Sequence, residues 1–272
     1  MQTKQLLKAG CRTFTYFCGM KISFAGKPLV ALLLMLLGFG CSSNYQLSKS
    51  NRQEYPVSSA IALDSAVLKT YLPYKSALDS QMNTVLGHSA IAMSKKSSDT
   101  LPESLLSNFF ADATLRQARK IDPKIDFAMP STKGGIRVDL PKGPLTVSHI
   151  YELMPFENEL IVCTIKGTEA QQLLHFIAAS KGQPVAGLSM KIKDKKAVDV
   201  VINGAPFDIN RNYRVLTSDY VASGGDNTIG FKDPVEKKVL GLKVRDALLK
   251  EVADKQAEGK TITAQLDGRI TY

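Results

Sequence analysis

From residue 63 to the C-terminus, stretches with apolar residues at helical spacing alternate with short strand-like runs. Few architectures satisfy that alternation. It predicts an α/β or α+β domain in which a mixed β-sheet is covered by flanking helices. The helical stretches are 63–86, 105–119, the latter part of 145–153, 168–179 and 244–253. The first carries Val67, Leu68, Tyr71, Leu72, Leu78 and Met82, and Pro73 predicts a kink or interruption in it. Thr168 is the expected cap of the fourth, and Thr146 or Ser148 that of the third. The strand-like runs are 85–93, 125–129, 160–165, 190–193, 198–203 and 213–218. No repeat and no internal boundary interrupts them, so 63–272 reads as a single domain.

What precedes that domain has a different character. Lys21 and Lys27 lead into an apolar run, 29–39, followed by Gly40 and Cys41-Ser42-Ser43. A membrane-spanning helix needs about 20 apolar residues, and this run is shorter. A basic stretch, an apolar core and a small residue fit an export signal over 1–40. A cysteine placed directly after it resembles a bacterial lipoprotein signal, which makes Cys41 the lipidation site. Met20 is the more typical start for such a signal than Met1. Residues 41–62 then read as a lipidated cysteine and a polar tether. The expected location is the periplasm or outer membrane, with a membrane contact through the lipid. Of the remaining cysteines only Cys163 falls in the domain, as a buried free thiol. The formal charge of +10 drops to +5 without Lys4, Lys8, Arg12, Lys21 and Lys27. No basic stripe interleaved with aromatics is left, so nucleic acid is not an expected partner.

Three loops carry ligand chemistry. Gly134-Gly135-Ile136-Arg137 follows a strand-like run, and Pro155-Phe156-Glu157-Asn158 follows a helix. The third, Asp219-Tyr220-Val221-Ala222-Ser223-Gly224-Gly225-Asp226, follows 213–218, with Tyr220 read as the end of that strand. Glycine pairs let a backbone turn with positive φ or approach a ligand closely. Aromatics in loops offer stacking faces, and a carboxylate accepts hydrogen bonds from hydroxyls.

In order and spacing these loops resemble the C-terminal, substrate-binding domain of the bacterial periplasmic 5′-nucleotidases (UDP-sugar hydrolases). That family carries an Asn-x-Gly-Gly-Ile-Arg loop, a Pro-Phe-Gly-Asn loop, and an aromatic followed by Ala-x-Gly-Gly-Asp. Leu106-Ser107-Asn108-Phe109-Phe110-Ala111-Asp112 is similar to a helix of the same family. The resemblance implies that Phe156 and Tyr220 sandwich a nucleobase and that Asn158 bonds the base edge. It further implies that Asp226 accepts from ribose hydroxyls and that Arg137 holds phosphate. Three departures stand out. Thr132 replaces Asn or Ser, and Glu157 replaces Gly, which sets a negative charge beside the expected pocket. Asp99 and Glu103 stand near the positions of two family arginines, so a phosphate is expected to meet carboxylates there.

In the full-length family a separate N-terminal domain binds two metal ions and performs the hydrolysis. The three histidines here, His88, His149 and His175, are scattered through separate elements. The expectation is therefore no catalytic residue, metal or cofactor in this chain, and divalent metals only on a partner. The implied function is the nucleotide- or nucleoside-recognition half of a split 5′-nucleotidase in nucleotide catabolism. A separately encoded metallophosphatase would complete it. The alternative is a non-catalytic ligand-binding lipoprotein of the cell envelope.

Overall fold

The computed structural model describes residues 49–98 and 100–272. The expected export signal, the expected lipid site Cys41 and Asp99 lie outside the described residues. Residues 49–62 form no helix or strand and are exposed. The remainder, Leu63–Tyr272, is one unit.

Its centre is a four-stranded sheet in the order β2-β8-β4-β9. These strands are β2 Phe127–Met129, β4 Glu159–Lys166, β8 Asn212–Ser218 and β9 Glu236–Lys243. β2 runs parallel to β8, while β4 runs antiparallel to both β8 and β9. Side chains alternate across a strand, and here both faces are apolar. Leu160 and Val162 of β4, Leu216 of β8 and Ala128 of β2 enter one core. Ile161, Cys163, Ile165, Val215, Tyr213, Phe127 and Met129 enter the other. Sequestering a Leu or Val side chain of this kind contributes about 1.5–3 kcal/mol. Cys163 is buried, as expected, and burial pushes its thiol up to about 11.

Helix α2, Leu105–Arg119, and helix α6, Val244–Ala257, cover the first face. A capping box of Ser104 and Ser107 starts α2. Helix α4, Gly167–Ala179, covers the second face together with a smaller sheet ordered β10-β5-β6-β7. That sheet comprises β5 Leu188–Lys193, β6 Lys196–Ile202, β7 Ala205–Pro206 and β10 Ile270–Thr271. Asp194 and Lys195 join β5 to β6 with φ of 50° and 60°, a two-residue turn of the kind that matches strand twist. The mixed sheet with flanking helices agrees with the fold class expected from the sequence.

Several local expectations need correction. The first helix, α1 Ser65–Met82, runs on through Pro73, and none of its residues is buried. Proline removes one hydrogen-bonded rung, and on an exposed helix water satisfies the freed carbonyl. The cap of α4 is Lys166, with Glu169 accepting its N–H at 3.3 Å, and Thr168 lies inside the helix. β9 escapes periodicity because it is an exposed edge strand rich in Glu and Lys. A two-stranded sheet pairs β1 Val85–Ser89 with β3 Gly143–Thr146, which leads into α3 Val147–Leu153 under a Thr146 cap.

The C-terminal strand is fastened by one arginine. Arg269 donates to both Asp112 oxygens at 2.8 and 2.9 Å, to Asp267 at 2.7 Å and to the Val185 carbonyl at 2.8 Å. Its side chain is only 11% exposed. Its carboxylate partners Asp112 and Asp267 are 33% and 48% exposed, so water partly compensates them once the arginine is gone. We expect Arg269→Met to lower unfolding free energy by about 2 kcal/mol, through the lost charge-assisted hydrogen bonds, measured by urea denaturation. A loss of under about 0.5 kcal/mol, the scale of an exposed pair, would remove this reading of the clamp.

Candidate functional site

Strand directions bring the three loops to one edge of the central sheet. Parallel β2 and β8 end side by side, with Met129 opposite Thr217. Antiparallel β4 begins there, with Leu160 opposite Ser218. β9 ends there too, with Lys243 opposite Glu159. Residues 130–137, 154–158, 219–228 and 243–245 therefore share that edge.

The third loop is built from Ser218. Its hydroxyl accepts from the Val221 N–H at 3.3 Å and caps a single helical turn, α5 Asp219–Ala222. Tyr220 thus projects from a helical turn rather than from the strand end expected from the sequence. The Asp219 carboxylate accepts from the Tyr220 N–H at 2.7 Å and from the Glu159 N–H at 3.1 Å. That one oxygen ties the Tyr220 turn to the loop carrying Phe156 and Asn158.

Beyond α5 the chain turns through left-handed backbone. Gly224 has φ of 86°, Asp226 of 53° and Asn227 of 59°. For residues with a Cβ this costs roughly 1–3 kcal/mol each and persists where surroundings enforce it. Here the enforcement is the Asp226 carboxylate. One oxygen accepts the Tyr220 hydroxyl at 2.9 Å, and the other accepts the Thr132 hydroxyl. The hydrogen bond to Asp226 and its negative charge push the Tyr220 phenol above its ordinary value. Gly225 is required for space, because a Cβ there would run into the Tyr220 ring.

The first loop is a 3-10 turn, Lys133–Gly135. Arg137 reaches back to donate to the Gly134 carbonyl at 3.1 Å, and its guanidinium lies 5.9 Å from the Phe156 ring centroid. Lys95 donates to the carbonyls of Ile136 and Arg137 at 3.1 and 2.9 Å, which fixes the loop from behind. Lys133 donates to the Pro102 and Lys181 carbonyls, and burial pushes its ammonium below the ordinary lysine value.

Contacts and short chain segments connect four of the five site residues expected from the sequence, Arg137, Phe156, Tyr220 and Asp226. Arg137 meets Phe156, whose loop joins Asp219 and Tyr220, and Tyr220 bonds Asp226. Asp226 bonds Thr132, and Thr132 leads to Gly134 and back to Arg137. Asn158, two residues after Phe156, is half-buried, its carbonyl accepting from the Val244 N–H at 2.9 Å. Phe156 and Tyr220 are 39% and 47% exposed, which leaves part of each aromatic residue accessible for stacking. Sequence reasoning missed Asp219, Thr132 as a donor, Lys95 and Arg245. Only the Ser218-Asp219 cap pattern carried a readable signal.

Two expected charges fall elsewhere than anticipated. Glu157 does not present a free carboxylate beside the site. It pairs with Arg245 and Lys243, whose hydrogen bonds and charges push it down to about 2. Glu103 is 3% exposed and accepts from the Asn108 amide at 3.0 Å and the Gly268 N–H at 2.9 Å. It holds the C-terminal segment through the Gly268 N–H and is buried.

The described residues bring together no group of three His, Cys, Asp or Glu able to hold a metal. His88 lies near Gln256, His149 bonds Thr146, and His175 accepts from Ala197. The donors at the site suit a planar ring, hydroxyls and an anion rather than a metal.

Comparison with known proteins places this geometry. The family model described as "5'-nucleotidase, C-terminal domain" matches residues 85–233, more than half of the 272-residue chain. Protein UshA of Yersinia enterocolitica is 29% identical over 175 residues, 61% of this chain and 30% of the relative. Cell wall protein Lmo0130 of Listeria monocytogenes is 28% identical over 187 residues, 62% of this chain and 24% of its own length. The chain thus spans under a third of these relatives. The crystal structure of a 5′-nucleotidase precursor from Thermus thermophilus superposes with a TM-score of 0.64 at 26% identity. That superposition covers 75% of this chain and 42% of the other.

Two glycine variants test the construction of the third loop. Gly225→Ala is expected to displace the Tyr220 ring and break its bond to Asp226, costing about 1 kcal/mol. Gly224→Ala, at φ of 86°, is expected to cost about 1–2 kcal/mol with the ring left in place. Crystal structures and urea midpoints of both variants read the outcome. An unmoved Tyr220 in Gly225→Ala would refute the steric account.

Proposed function

Because the chain belongs to the 5′-nucleotidase C-terminal domain family, we propose that its sheet-edge site recognises the base and sugar of a nucleotide or nucleoside. The observation that carries this is that loops at one end of the central strands hold two exposed aromatics, Phe156 beside Arg137 and Tyr220 bonded to Asp226. Phe156 and Tyr220 supply stacking surfaces. Asp226 uses its two oxygens on Thr132 and Tyr220 and keeps lone pairs for ligand hydroxyls. The Asn158 side chain offers both a donor and an acceptor to a base edge. Arg137 offers a planar, permanently charged fork to a phosphate.

Hydrolysis of a phosphate ester needs an activated water and stabilisation of the leaving oxygen, the work of paired metal ions in this class of chemistry. The donor set at the site does not fit such ions. On this reading the chain selects the substrate within a split 5′-nucleotidase, and a separately encoded metallophosphatase chain cuts it. Export and attachment through Cys41 would place both at the cell envelope. The apolar run before Cys41 supports this, as does the cell wall relative in Listeria.

Calorimetry against AMP, adenosine and UDP-glucose tests the site. A base-containing ligand is expected to bind, and Tyr220→Ala to weaken it about tenfold, the low end of the stacking range. Unchanged affinity in that variant would remove the stacking role. In a phosphate-release assay with divalent cations, the purified chain is expected to be inactive until a metallophosphatase chain is added. Turnover by the chain alone would overturn the split arrangement. Binding without any restored turnover would favour a lone binding lipoprotein.

Anchoring is tested by growth with labelled fatty acid. Label is expected in the full chain and absent in Cys41→Ser. Equal labelling of the two would exclude Cys41 as the attachment point.

A further inference from the structure

Three consecutive residues at the β9–α6 junction hold three consecutive residues of the Phe156 loop. Lys243 pairs with one Glu157 oxygen and Arg245 with the other. The Val244 N–H donates to the Asn158 carbonyl at 2.9 Å. Arg245 also donates to the Phe156 carbonyl at 3.4 Å, and its guanidinium lies 4.1 Å from the Tyr151 ring centroid. The Arg245 side chain is 6% exposed, while Glu157 and Lys243 are 62% and 46% exposed.

We propose that Lys243 and Arg245 form a charge-compensating latch on Glu157 that positions Phe156 and keeps the site open to anionic ligands. The proposal rests on the reading that this site binds base-containing ligands. A lone carboxylate in that loop would repel any phosphate gathered by Arg137, whose guanidinium is 5.9 Å from the neighbouring Phe156 ring. Two cations against one carboxylate leave the latch with a formal charge of +1. The planar fork of Arg245 engages the carboxylate and the Phe156 carbonyl together, a geometry that an ammonium cannot reproduce. Arg245 is therefore a positioning residue. Exposed ion pairs add little to stability, so the latch is read in ligand preference and loop order.

A charge ladder tests it. Glu157→Gln gives the latch +2, Lys243→Met gives 0, and the double variant returns it to +1. Affinities for AMP and adenosine are measured by calorimetry at low salt. The AMP-over-adenosine ratio is expected to rise about threefold in Glu157→Gln and fall about threefold in Lys243→Met. The double variant is expected to match the wild type although both contacts are gone. Half-molar salt should shrink the differences. Ratios that do not move, or a double variant that behaves like Lys243→Met, would overturn compensation.

Positioning is tested without any ligand. Hydrogen exchange of residues 154–158 is expected to be several-fold faster in Arg245→Met, and unchanged exchange would overturn the positioning role. Should that variant fail to fold, Arg245→Lys keeps the charge and loses the fork. It is expected to keep the wild-type ratio while weakening both ligands several-fold, and unaltered affinities would count against positioning. Failure of the wild-type protein to bind either AMP or adenosine would refute the recognition reading. The exchange measurement would still judge the latch.

Discussion

The pairing of β4 with β8 is the interaction on which the rest of the structure depends. Seven consecutive register pairs run from Leu160–Ser218 to Lys166–Asn212. Because both strands alternate apolar side chains to two buried faces, a slip of one residue would exchange the contents of both cores. The cost of such a slip is what makes the register reliable. The register in turn sets where chain reversals fall. The start of β4 and the end of β8 must lie together, and β2, parallel to β8, brings its own end alongside. A site assembled from four separate loops thus inherits its geometry from core packing.

That inheritance explains why strained backbone survives at the edge. Asp226 and Asn227 hold positive φ without being glycines. An isolated turn would relax. Here Asp226 is bonded to Thr132 on one side and to Tyr220 on the other, and each belongs to a loop pinned by a central strand. Asp219 performs the same service between α5 and the start of β4. Two carboxylates, each shared by groups from different parts of the chain, convert three separate reversals into one surface. A ligand meeting such a surface finds little left to order, which lowers the entropic cost of binding.

Legibility in the sequence followed the physics of burial. Helix 105–119 was readable end to end, since its apolar face and serine cap are both local signals. The α/β class was readable because strands buried on two faces produce uniform apolar runs such as Leu160-Ile161-Val162-Cys163. β9 was not, since an exposed edge strand carries charges in place of an apolar period. Tyr220 was nominated by residue type but set on the wrong element, because a one-turn helix has too few residues to show periodicity. Arg137, Phe156, Asn158, Tyr220 and Asp226 could be nominated from their motifs. Their supports could not, because the Glu157–Arg245 and Asp219–Glu159 contacts span 88 and 60 residues. Local reading also misjudged Glu157 and Glu103, as a carboxylate's effective charge depends on partners that only folding supplies.

Glu157 makes that last point general. A carboxylate between the aromatic and the amide would ordinarily be read as hostile to anionic ligands. Its two cationic partners come from the strand end already adjacent to the loop, opposite Glu159 in the register. The nearby Arg245 is held by the Tyr151 ring and by the Phe156 carbonyl as well. A carboxylate at an exposed loop position is therefore paired by a junction that the central sheet places within reach. The same strand ends then serve as scaffold for the loops and bring the two cations to Glu157.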